Sequence, residues 1–419
     1  MSPLSVAQAA DETPDRLALI GDGPPLTYAG LAEAARARVL PDGPIVLCPR
    51  ADRESVLDLL AALDTGRPLA LLHPRWTNAE RADARARFVR CARPGEVVVF
   101  TSGSSGRPKG VRLSQNALVA AAEAHRRALP FEEADRWLLT LPLAHVGGLS
   151  VITRSLDARS CIALAPGRVL RSGIVDTQTT LLSVVPTMME RLLSEPSVPS
   201  LRAILLGGAA ASPSLIARAR AAGWPVLPTY GASETCGQAC TQRLNDLRPA
   251  GVGPAMPSVH VRTTPDAAIE ITGPTLMAGY LDDPSPFENG WFRTGDLGEF
   301  DRDGHLHVRG RRDAVLITGG ENVDPVEVEM ALETHPDIER AFVTGLPDVT
   351  WGQRVVALIE GESDIGVLRR HLGDRVAGFK HPRAVASVER LPELASGKID
   401  RRGAHALAAQ LLLIHADST

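Results

Sequence analysis

The chain has 419 residues, 44% of them hydrophobic and 22% charged, with a formal net charge of −4. That length suggests two or three domains, and the near balance of charge gives no reason to expect a nucleic acid or an anionic membrane as partner. Five cysteines without a CxxC pair argue against a disulfide framework and a zinc cage. No basic-then-apolar leader opens the sequence, and Leu411-Leu-Leu-Ile414 is too short to cross a bilayer, so the expectation is a cytoplasmic protein without membrane insertion.

Short apolar runs alternate with helical patterns, which predicts an α/β layout. Ile45-Val-Leu-Cys48 reads as a buried strand. Val97-Val-Val-Phe100 and Val111-Arg-Leu113 read as two strands flanking the polar segment Thr101-Ser-Gly-Ser-Ser-Gly-Arg-Pro-Lys-Gly110. Ser114 is placed to cap a helix carrying Leu118, Ala122, His125 and Leu129 on one face. Leu181–Val185 and Ile204–Leu206 are further buried strands. Ser212, Pro213 and Gly223 have the cap, first-turn proline and terminal glycine of a helix.

The texture changes near residue 311. Before it, Trp291–Gly298 and His305–Val308 suggest a small antiparallel, β-barrel-like region turning at Asp301-Arg-Asp-Gly304. After it, Asp324-Pro-Val-Glu327 reads as the capping box of a helix running to about Thr334. Strands at Ala341–Val343, Val355–Ile359 and Ala384–Val388 and a helix near Ile365–Leu372 complete a compact α+β unit. The predicted fold is therefore α/β, a large N-terminal lobe of stacked sheets and helices over residues 1–311, with a small mobile α+β domain over 312–404 and a tail over 405–419.

Several segments carry chemistry. In the loop opening at Thr101, glycines allow close backbone approach, and Ser102, Gly103, Ser104, Ser105 and Lys109 offer hydroxyls, amides and an ammonium to a polyphosphate. It is not a Walker loop, since the Gly-Lys-Ser/Thr order is missing and no helix follows directly. Leu205-Leu-Gly-Gly-Ala209 ends a strand in a glycine turn against which a flat ring could lie. Tyr230-Gly-Ala-Ser-Glu-Thr235 adds an aromatic face and a carboxylate suited to Mg²⁺. Thr294-Gly-Asp296 offers an acceptor for paired ribose hydroxyls, and Gly310-Arg-Arg-Asp313 an arginine and a pivot. Gly397-Lys398 presents a lone ammonium on a loop. Taken singly, each also reads as an ordinary turn, linker or solvated side chain.

Their order along the chain resembles the adenylate-forming superfamily, which spans acyl-CoA synthetases, luciferase and peptide-synthetase adenylation domains. The likeness covers about residues 10–402, with Ser104, Ser105 and Ser233 standing where the family pattern has threonine. Leu141-Pro-Leu-Ala-His-Val-Gly-Gly-Leu149 is similar to the acyl-CoA ligase stretch, and Glu234-Thr-Cys-Gly-Gln238, with Arg154 in register, is most like the o-succinylbenzoate–CoA ligases of menaquinone biosynthesis. The shortness of the chain falls before the phosphate loop, so a trimmed N-terminal subdomain is expected.

That resemblance implies ATP, Mg²⁺ and coenzyme A, with a small carboxylic acid as substrate. Thr101 to Lys109 would hold the β- and γ-phosphates, Glu234 the Mg²⁺, and Gly208, Ala209 and Tyr230 the adenine. Asp296 and Arg311 would hold the ribose, Ser233 the α-phosphate, His145, Gly231 and Arg154 the acyl group, and Lys398 the reacting carboxylate and α-phosphate, with Asp313 as hinge. Ligation of another aryl or fatty acid, loading of a carrier protein, and a non-catalytic nucleotide-binding relative stay open, as does a homo-oligomer.

Overall fold

In the computed structural model, residues 3–101, 108–282, 286–318, 321–348, 350–373, 375–394 and 397–413 are described, without the side chains of residues 313, 322 and 413. Two sheets form the body of the large lobe. The first runs Gly279–Tyr280, Lys109–Ser114, Glu96–Thr101, Leu69–Leu71, Ile45–Leu47. Its last three strands are parallel and nearly all apolar, as expected of strands buried on both faces. The second has eight strands, with parallel Ala203–Leu206, Leu181–Val184, Arg136–Leu138 and Cys161–Ala163 near its centre.

The predicted strands around the polar loop are a hairpin, in register from Glu96↔Ser114 to Thr101↔Lys109. At its base the buried Arg112 makes a bidentate pair with Glu96 at 2.7 and 2.9 Å. Buried Arg87 donates to the Pro108 carbonyl at 2.8 Å and pairs with Asp282, so the far end of the loop is tied to the sheet edge.

Helix starts follow the predicted caps. Ser114 accepts from the Ala117 N–H at 3.1 Å and Ser212 from Leu215 at 3.1 Å. The expected capping box at Asp324 is only half made. Asp324 accepts from Val326 at 2.9 Å, but Glu327 turns away to take Lys380 at 2.6 and 2.7 Å. The full charge of Lys380 is a stronger partner than a backbone amide. The helix then ends at Leu332, short of Thr334.

A third, antiparallel sheet holds Trp291–Phe300 against Leu306–Arg311, turning at Asp301–Gly304 as predicted. The chain then passes through the short 3₁₀ turn Arg312–Ala314 into the small domain. There the expected strands are the centres of much longer ones, Ile338–Asp348 and Gly352–Gly361. Their polar ends hid them, because charged residues such as Arg340 and Glu360 pair with each other (3.3 Å) instead of alternating with apolar ones. The helix Arg401–Leu413 continues past residue 405 and lays Ala404, Ala408 and Leu412 on Phe342, Val356 and Leu358. The small domain has its own apolar clusters, separate from those of the large lobe. Among the described residues no helix is long and apolar enough to cross a membrane.

Where the lobes meet, Glu333 is largely buried and accepts the Ala341 N–H at 3.1 Å. Burial, with Glu329 and Glu190 nearby, pushes its carboxyl up to about 8. A raised folded pKa favours the protonated form, so this group's stabilisation is complete below about 4.5 and is lost as pH climbs through about 8. Glu333→Gln keeps the acceptor and removes the titration. It should match the parent Tm at pH 5 and exceed it by about 2–4 °C at pH 9 in melting scans; parallel pH profiles would refute this.

Candidate active site

The central parallel strands end at a common edge, where open α/β sheets place their ligands. Ala203–Leu206 terminates there in Gly207-Gly208, with Gly208 at φ +79°. A side chain would be strained at that angle, and a Cβ would come within 3.7 Å of Cε of Lys398. Ala209 is exposed beside it. The neighbouring strand Val226–Ala232 carries Tyr230, Gly231 and the approach to Ser233 and Glu234, which lie in a 3₁₀ turn. Gly231 pairs with Gln238 across antiparallel strands packed so closely that a Cβ would sit 1.7 Å from the Gly237 carbonyl oxygen.

Three predicted groups converge below the glycine turn. Tyr230 donates to Asp296 at 2.7 Å, which raises the phenol's pKa on top of burial. Arg311, opposite Asp296 in the hairpin, reaches it at 3.6 Å and covers Gly295. Asp296 is thus held by a phenol and a guanidinium, with Thr294 Oγ1 accepting its backbone N–H at 3.1 Å.

On the hairpin side, Thr101 and Lys109 stand opposite each other at the loop's two ends. Ser102, Gly103, Ser104 and Ser105 lie outside the described residues. The Lys109 ammonium lies 5.4 Å from the ring centre of Tyr280, and the Tyr280 hydroxyl donates to Glu234 Oε1 at 2.8 Å. Glu234 Oε2 has no hydrogen bond among the described residues. A carboxylate oxygen thus remains beside the phosphate loop, which suits a hard cation that also binds phosphate. Among the described residues no group of three or more His, Cys, Asp or Glu is placed to hold a metal without such help.

Lys398 arrives from the small domain. Its loop is closed by Gly397 N–H to Leu394 O at 2.9 Å and Leu394 N–H to Lys398 O at 2.8 Å. Water still reaches the side chain along the cleft, but the surrounding protein thins the solvent around the ammonium and lowers its pKa, against the pull of Asp296. The same ammonium, with His73, helps burial to hold the His145 imidazole near 4, so His145 is neutral at physiological pH. The His73 and His145 rings are 5.2 Å apart. His145 opens the helix Val146–Ala158 without capping it, leaving its ring to the cleft.

Arg154 lies about two and a half turns further along that helix and is 5% exposed. Its guanidinium leans back to the level of Ser150, and both side chains border Gly237. It lies 5.5 Å from the Trp137 ring and makes no hydrogen bond or ion pair among the described residues. Burial alone brings its pKa down to about 9. Beside it, His125 Nδ1 bonds Gln238 at 2.8 Å while buried Nε2 has no hydrogen-bond partner among the described residues. The side chain of Asp313 is not described, and its backbone lies in the 3₁₀ turn between the lobes. His73, Tyr280 and Thr187, which complete the site, were not legible beforehand; each is a lone polar residue in an otherwise unremarkable segment.

The open sheets, the glycine turn and a lysine delivered from a second lobe define an adenylate-forming enzyme of two lobes. The chain belongs to the AMP-binding enzyme family, whose model matches residues 94–281, while the model of its C-terminal domain matches 327–398. It is 38% identical over 327 residues to a 2-succinylbenzoate–CoA ligase of Bacillus licheniformis, covering 73% of this chain and 68% of that protein. It is 34% identical over 343 residues to an indoleacetate–CoA ligase of Aromatoleum aromaticum, covering 75% and 67%. The structure of the Bacillus subtilis o-succinylbenzoate–CoA synthetase in complex with its acyl-adenylate intermediate superposes with a TM-score of 0.86 at 27% identity, covering 96% of this chain and 97% of that one.

Gly231→Ala should force the strands at Gly231 and Gly237 apart. A stability loss of about 3 kcal/mol in denaturant melts is expected, and an unchanged midpoint would contradict the close approach.

Proposed function

We propose that this chain is an ATP-dependent acyl-CoA ligase that converts o-succinylbenzoate, ATP and CoA to o-succinylbenzoyl-CoA, AMP and diphosphate, a step of menaquinone synthesis in the cytoplasm. The observation that carries the choice of acid is Arg154, a buried guanidinium without an anionic partner among the described residues. Such a charge is costly to bury alone, and a second carboxylate on the substrate supplies the missing partner in bidentate form. The indoleacetate ligase likeness keeps a monocarboxylic aryl acid as the competing reading, but that substrate would leave Arg154 unneutralised.

The reaction has two steps. An oxygen of the aliphatic carboxylate attacks the α-phosphorus and diphosphate leaves; the CoA sulfur then attacks the acyl carbon and AMP leaves. Thr101, Ser102, Gly103, Ser104, Ser105 and Lys109 grip the β- and γ-phosphates. Gly208, Ala209 and Tyr230 enclose the adenine, and Asp296 with Arg311 binds the ribose. Ser233 meets the α-phosphate. Glu234 is the residue that would hold Mg²⁺, which when bound offsets charge on the diphosphate leaving group. Neutral His145 and Gly231 line the acyl group without repelling or protonating it. Lys398 bridges the attacking carboxylate and the α-phosphate, where negative charge accumulates in the transition state. Its depleted solvation makes that contact stronger than it would be in water.

We divide the chain at residues 1–311 and 312–404, with Asp313 as the hinge and the helix through Leu413 carried by the small domain. Turning there would withdraw Lys398 and bring another face of the small domain to the thiol. Lys398→Ala should lower ATP–diphosphate exchange roughly 100- to 1000-fold yet still turn supplied acyl-adenylate into thioester, whereas Asp313→Pro should do the reverse. Equal losses in both half-reactions for either variant would refute the assigned role.

Arg154→Met should cut kcat/KM for o-succinylbenzoate by about 2–4 kcal/mol, roughly 30- to 1000-fold, and leave 4-oxo-4-phenylbutanoate, which lacks the second carboxylate, nearly unchanged. Because it removes an unpaired buried charge, it should also raise the Tm of the unliganded protein. Equal losses for both acids would favour the monocarboxylate reading.

A further inference from the structure

The helix Pro186–Leu193 follows the central strand Leu181–Val184 at the sheet edge that holds the glycine turn. Its second residue, Thr187, is nearly buried, and its hydroxyl donates to the Gly397 carbonyl at 2.7 Å, across the gap between the lobes. That is the only hydrogen bond of this hydroxyl among the described residues. Gly397, at φ +78°, has no room for a side chain, since a Cβ would fall 3.1 Å from Thr187 Oγ1 and 3.4 Å from Val185 Cγ2. One turn further along the same helix, Arg191 approaches Glu393 at 3.6 Å, and Glu393 is held in turn by Arg340 at 2.7 Å. This helix therefore meets the loop that ends in Lys398 with a hydroxyl and an arginine, one on each side of the loop's turn.

We propose that Thr187 is a positioning residue that docks the lysine loop for the adenylation step, by accepting the small domain only when the Gly397 carbonyl faces the helix start. The inference rests on the adenylation role of Lys398 given above. The bond fixes the backbone atom that immediately precedes the lysine, so it constrains where the ammonium can reach without touching substrate. It is made in the lysine-in arrangement and must break when the small domain turns away. Removing it should therefore weaken the first half-reaction and spare the second. A single neutral hydrogen bond also suits a contact made and broken once per turnover, because its net strength is modest.

The test measures both half-reactions for Thr187→Val, Thr187→Ser, Lys398→Ala and the Thr187→Val/Lys398→Ala double variant. ATP–diphosphate exchange with o-succinylbenzoate reports adenylation, and consumption of synthetic acyl-adenylate by CoA reports thioester formation. In Thr187→Val, exchange kcat should fall about 3- to 10-fold with little change in KM for ATP, while thioester formation keeps its rate. Thr187→Ser should restore exchange, and Thr187→Val should add no further loss once Lys398 is absent. Wild-type exchange in Thr187→Val, equal slowing of both half-reactions, or a full additional loss in the double variant would each overturn the proposal. Unimpaired exchange in Lys398→Ala would overturn the functional reading, and the docking role with it.

Discussion

Positive charge without a protein counter-charge organises this molecule. Among the described residues, Arg154 inside the large lobe has no hydrogen-bonded or ion-paired carboxylate, and the Lys398 ammonium feels the field of Asp296 without an ion pair. Elsewhere buried arginines are answered, Arg112 by Glu96 and Arg87 by Asp282. The contrast separates structural from functional charge. A buried cation without a partner is costly, and of these two only Lys398 stands in the cleft between the lobes.

The scaffold makes that tolerance possible. Parallel strands of Val, Leu and Ile form apolar sheets that need no polar help, and their glycine-terminated edges leave backbone groups open to a ligand. The antiparallel hairpin Trp291–Phe300 with Leu306–Arg311 supplies Asp296 and Arg311 from paired positions, so the acceptor and its guanidinium neighbour move together. Tyr230 then links this sheet to the central one through its hydroxyl.

Much of this was legible in the residues. The Thr101–Gly110 loop, the glycine turn and the Tyr230–Thr235 segment each read singly as an ordinary turn, and it is their order along the chain that marks the family. The change in texture near residue 311 falls just before the 3₁₀ turn Arg312–Ala314. What escaped was whatever depends on distant pairing. The long strands Ile338–Asp348 and Gly352–Gly361 hide behind charged ends that satisfy one another, and Glu327 abandons a local cap for Lys380 far along the chain. Tyr280 and Thr187 are single polar residues whose partners, Glu234 and Gly397, are dozens to hundreds of positions away, so no local pattern could mark them.

The small domain keeps its apolar clusters to itself, on both faces of its own sheet. What it offers the large lobe is polar: a carbonyl, a few carboxylates, an arginine. Parting the two therefore uncovers little oily surface, and water can take over each severed contact. Such a unit is portable. It could be grafted from one relative to another with the apolar sheets of the recipient left intact, and Arg154 would stay with the large lobe.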